Sequence, residues 1–199
     1  MKRLVAASVA AAVAVPAVAV GVAHANSSEP AWHGVQGTQA RIANALSAGP
    51  SAVVHGARVL DYGAKVTDPY VLLRKGSGAW TCFPDWPDSP GNDPICYDRQ
   101  GMKWLGAYNA GKKPHLTGPG IAYRLQGGSD PSLTDPAALK PAKGGHWIEH
   151  PAHIVVVSPG KLKPSDYGGY GDDAWVMWPG TPYEHLHLPV GDGGMAHSH

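Results

Sequence analysis

The chain has 199 residues, with 16 Lys and Arg against 15 Asp and Glu, and a formal net charge of +1 with histidine neutral. So even a charge balance, with no basic stripe, excludes nucleic acid and anionic membrane as the expected partners. Gly (26) and Pro (19) are abundant, but 7 Trp and 8 Tyr supply an aromatic payload that a disordered chain lacks.

Residues 1–25 read as a secretory signal peptide. Lys2 and Arg3 precede an apolar run of almost pure Ala and Val, and Ala23-His24-Ala25 fits a small-x-small cleavage box. An uncleaved membrane anchor is the competing reading, since the run is nearly long enough to span. Cleavage would leave 14 basic residues against 15 acids, a net charge of −1. Beyond the leader no membrane span is expected. Residues 26–37 read as a flexible lead-in, 38–190 as a single globular domain and 191–199 as a flexible His-containing tail.

Residues 38–49 read as an Ala-rich helix, with Thr38 as cap, Ile42 and Leu46 on one face, and Gly49-Pro50 as the stop. Residues 52–62, 70–74 and 79–83 read as strands. Lys75-Gly76-Ser77-Gly78 reads as the hairpin turn between the last two.

Residues 79–98 hold both cysteines, Cys82 and Cys96, and four prolines between them. Each proline fixes φ and removes a backbone donor, so the stretch reads as an irregular loop. A disulfide across it would hold its shape, with a stabilisation of about 3 kcal/mol for a loop of roughly 15 residues. That bond persists only in an oxidising compartment, which the leader implies. The loop's Asp85, Asp88 and Asp93 could present oxygens to calcium, but they match no EF-hand spacing. Asp beside Pro and Gly is more often a turn former that bonds its own backbone.

Asp98 caps a predicted helix to about Ala110, with Met102, Trp104, Leu105 and Tyr108 at helical spacing. Strands are expected at 121–126, 147–149, 154–158, 174–178 and 184–190. The Ile-Val-Val-Val run at 154–157 should be central and buried. A long loop separates the first two of these, and 165–173 reads as a glycine-rich surface loop. The count favours an α+β fold: an antiparallel or mixed sheet of about six or seven strands, with two helices on one face.

Three stretches resemble a family of uncharacterised exported bacterial proteins. They are Trp80-Thr81-Cys82 with Gly91-Asn92-Asp93-Pro94-Ile95-Cys96, then Gly120-Ile121-Ala122-Tyr123, then Val176-Met177-Trp178-Pro179-Gly180-Thr181-Pro182-Tyr183. The resemblance covers roughly residues 39–190. It implies export, to a secreted or periplasmic location, and a disulfide-tied single domain, and it brings no activity.

Two site patterns remain. His185 and His187 alternate on a strand and so share a face, where they could bind zinc or copper with His150 or His153 as a further ligand. Strand histidines are more commonly satisfied by water or carbonyls, and the His197-Ser198-His199 tail could bind metal adventitiously. Trp86, Tyr167 and Tyr170 sit in loops, where exposed rings could stack on a ligand such as a glycan. No Gly-x-Ser-x-Gly elbow or His-Glu-x-x-His motif is present. The expectation is therefore a non-enzymatic domain for a small ligand, a metal or a glycan. An enzyme with an unrecognised site is the alternative.

Overall fold

The computed structural model describes residues 37–63, 68–76, 78–171 and 173–191. The expected leader, all but Gly37 of the lead-in and all but Gly191 of the histidine-containing tail lie outside these residues.

In chain order the elements are α1 (Thr38–Ser47), α2 (Ser51–Val54), β1 (Arg58–Asp61), β2 (Val71–Arg74), β3 (Thr81–Phe83) and β4 (Ile95–Tyr97). There follow α3 (Arg99–Asn109), β5 (Gly120–Arg124), β6 (Gly128–Asp130), β7 (Ile148–His150) and β8 (His153–Val157). A 3-10 turn (Pro164–Asp166), β9 (Trp175–Met177) and β10 (His185–Pro189) complete the chain. Eight strands form one sheet in the order β2-β1-β3-β4-β5-β8-β10-β9, and β6 pairs with β7 in a separate ribbon. The fold is α+β around a mixed sheet, as the composition of elements predicts, with more strands and one more helix than expected.

The core follows from the period-two alternation of strands. Val59, Cys82, Cys96 and Tyr123 pack with Ala45 of α1 and with Ala48, the residue that caps its C-terminus. Their neighbours Leu60, Phe83, Tyr97 and Ala122 pack with Trp104 of α3. The two longer helices therefore cover opposite faces of the sheet, not one face as the sequence reading had it. The β8 strand lies between β5 and β10 and is paired along its whole length, which confirms the expected central position of the Ile-Val-Val-Val run.

Four further expectations need correction. Gly37, not Thr38, occupies the N-cap of α1, and no side chain caps that end. Residues 51–54 form a helical turn, because Pro50 in an extended conformation starts a helix and Val53 drops into the α1-side core. The β2 and β3 strands are not a hairpin, since β1 lies between them, antiparallel to β2 and parallel to β3. The cysteine stretch is not loop throughout, since Cys96 belongs to β4, directly opposite Cys82 in β3.

The Cys82–Cys96 disulfide is formed, with a Cα–Cα distance of 3.9 Å. It joins the roots of the proline-rich loop on the sheet. The α3 helix behaves as its sequence requires: the Asp98 side chain accepts a hydrogen bond from Gly101 N at 2.6 Å, and Trp104 points into the core.

Candidate functional site

A cavity of about 220 Å³ opens on the α3 side of the sheet. Tyr97 and Arg124 reach it from β4 and β5, and Trp104 and Tyr108 from α3. The proline-rich loop brings Trp86, Ser89 and Asp93, and β6 brings Ser129 and Asp130. Tyr62, Tyr70, Trp147 and Trp178 complete its aromatic lining.

The rings fall into two arrangements. Tyr62 meets Trp86 at 4.7 Å and 69°, and Tyr70 at 6.3 Å and 74°, so both stand steeply to Tyr62. Trp104, Tyr108 and Trp178 lie nearly parallel, within 18°, at centroid separations of 5.4–6.2 Å. Trp178 has a positive φ of 52°, a conformation that a bulky residue rarely adopts and that costs on the order of 1–3 kcal/mol. It is held by hydrogen bonds from its backbone N to Leu133 O at 2.8 Å and from its Nε1 to Ser132 O at 3.0 Å. Strained backbone thus fixes one aromatic wall.

The charged wall is built from a chain of buried polar contacts. Asn44 of α1 accepts from Asp85 N at 2.7 Å, and Asp85 Oδ1 accepts from Asp93 N at 2.7 Å. Asp93 Oδ1 then accepts from Ser129 N at 2.7 Å and lies 3.4 Å from Arg124 Nη2. Asp85 thus bonds the backbone of its own loop, whereas Asp93 ties the loop to β6 and β5. Arg124 Nη1 also meets Asp130 Oδ2 at 3.3 Å, and His150 Nε2 lies 3.0 Å from that same oxygen. Burial would raise the Asp130 pKa, but contact with His150 and the Arg124 charge outweigh it and hold the carboxyl well below its usual range. Burial pushes the Tyr62 and Tyr97 phenols up, so both enter the cavity as neutral hydroxyls.

Beside this wall the structure gathers all four sequence-predicted histidines. His185 and His187 project from β10 on the α3 side, next to Trp104 and Trp175 respectively. His187 stacks on His153 at 4.6 Å and 18°, and His150 lies 5.1 Å from His187. His153 and His187 are 0% and 1% exposed. Burial, then the Arg124 charge, pushes the His153 imidazole down to about 3; burial pushes His185 down to about 4, against the pull of the Tyr183 carbonyl. Burial and the three neighbouring imidazoles put His187 well below its ordinary value. Both ring nitrogens of His187, and Nε2 of His153, lack a hydrogen-bond partner. The rings meet face to face or at a tilt, and among the described residues no three His, Cys, Asp or Glu side chains are placed to hold a metal ion.

The loop aromatics are not brought together. Trp86 lines the cavity, whereas Tyr170 lines a broader cleft of about 820 Å³ with Trp147 and donates its hydroxyl to Glu149 O. Tyr167 lines neither and is half-buried at the end of the 3-10 turn. Sequence reasoning missed Arg124 and Asp130. One signal was available: Gly120, Ala122 and Arg124 share an inward parity on β5, so a cation follows two small residues on a buried face. No helix among the described residues is long and apolar enough to cross a membrane. No protein-family model matches the chain, and no curated protein or solved structure matches it either.

Proposed function

We propose that the protein is an exported, non-enzymatic domain that binds one small organic ligand in the aromatic cavity. The observation that carries this reading is the cavity itself: largely aromatic walls with a few convergent polar groups, the usual composition of a ligand site. Its volume of about 220 Å³ corresponds to about seven water molecules, so the ligand is a single ring or a short chain. Export is supported by the charged-then-apolar leader and by a disulfide that an oxidising compartment would preserve.

A fragment screen followed by thermal shift tests the reading. Binding to the native state alone raises the melting temperature with ligand concentration. At least one fragment of this size should do so saturably and should quench tryptophan fluorescence, and Trp86→Ala should weaken it. A broad screen with no saturable binder, or hits indifferent to Trp86→Ala and to substitution of Tyr108, would refute the cavity as the site.

A further inference from the structure

Resting on that reading of the cavity, we infer that its ligand is a small organic cation, an alkylammonium, held by aromatic faces and the Asp130 carboxylate. Three observations carry it.

First, the cavity wall has unequal charge. Asp93 and Asp130 line it against a single guanidinium, that of Arg124. The lining thus carries two carboxylates against one guanidinium, in a chain whose formal net charge is +1. Asp130 and Asp135 both raise the Tyr108 phenol, after burial itself, so the α3 side of the cavity also senses negative charge.

Second, one acid is accessible. The Asp93 side chain is 3% exposed, whereas Asp130 keeps 19%. Arg124 and His150 both meet Asp130 through Oδ2, which leaves Oδ1 as the oxygen for a ligand.

Third, the ring geometry fits a compact charge better than a flat sugar. A sugar ring stacks on one aromatic plane. An ammonium is attracted to the face of each ring within reach, and converging faces add. Tyr70 and Trp86 stand at 74° and 69° to the plane of Tyr62, so the corner offers ring faces in different directions. In a space of about 220 Å³ one trimethylammonium group meets this corner and the acid wall together.

The test uses calorimetry on the mature, disulfide-intact protein. The probes are choline, its uncharged isostere 3,3-dimethylbutan-1-ol, and glucose. Choline should bind saturably and at least about tenfold more tightly than the isostere. Asp130→Asn should weaken choline about tenfold and leave the isostere unchanged. Trp86→Ala, in a half-exposed loop position, should weaken both and provides a second variant if Asp130→Asn does not fold. Equal binding of choline and isostere, or preference for glucose, would overturn the cation while leaving the cavity as a ligand site. Failure of all three probes would also overturn the cation, and the cavity reading would then fall only with a blank fragment screen.

Discussion

Acid should loosen this protein well before its carboxylates protonate, and the buried histidine layer sets the size of the effect. His153, His185 and His187 are held neutral by burial, with folded-state values of about 3 and about 4 for the first two and well below the ordinary 6.5 for the third. Unfolding returns each imidazole to water and to about 6.5. Below that value the unfolded chain binds protons that the folded chain refuses, so stability falls as pH falls. Between pH 6.5 and pH 5 the loss is about 1.6 kcal/mol per imidazole, and about 5 kcal/mol for the three together. Total stabilities of folded domains are about 5–15 kcal/mol, so a loss of this size brings the midpoint of unfolding within reach. The loss continues until pH passes through the folded values, and Asp130, held below its usual range, adds its own only below about pH 4. Urea unfolding followed by tryptophan fluorescence from pH 8 to pH 5, with the disulfide intact, measures it. His187→Leu removes one of the three protons and a ring with two unpartnered nitrogens, so the slope should fall by about a third while stability at pH 8 holds or rises. A midpoint that is flat from pH 7.5 to pH 5, or a slope unaltered in His187→Leu, would refute the account of a neutral buried layer.

Two further outcomes test the architecture. Cys82→Ala should cost about 2–5 kcal/mol in urea unfolding, and intact mass before and after alkylation should show no free thiol in protein from its native compartment. Gly120→Ala should cost about 1–3 kcal/mol, because its new Cβ would stand 2.5 Å from Gly101 N, backbone at the first turn of α3, and from Val157 Cγ2; wild-type stability would refute that close approach of helix and sheet.

The parts of the fold that were legible in the sequence are those decided locally. Asp98 and the apolar spacing after it announce α3, because the cap and the backbone N–H that donates to it lie three residues apart. The Ile-Val-Val-Val run announces a central strand, which is buried on one face and half-buried on the other. The two cysteines flank a loop whose prolines deny it any regular structure. Pairings decided at long range were not legible. The insertion of β1 between β2 and β3 depends on a parallel contact that leaves no turn signature. Period two placed His185 and His187 on one face, yet it carries no information on ring rotation, which decides between stacking and shared ligation. The cavity draws on segments from residue 62 to residue 178, and no single stretch of chain contains enough of it to be recognised.

The outer edge of the sheet has a consequence for how the protein behaves in concentrated solution. Among the described residues the β2 strand has a strand neighbour on one side only, and Val71 and Leu72 are 52% and 50% exposed. Such an edge is a template for strand addition by a second molecule. Pro69 before it, the four-residue length of the strand, and the charges of Arg74 at its end and Lys75 after it shorten and guard that template. Two copies approaching edge to edge bring these cations together. Their repulsion is screened within a Debye length, about 10 Å at 0.1 M salt and about 3 Å at 1 M. Colloidal stability therefore depends on ionic strength, and self-association through β2 is favoured as salt rises.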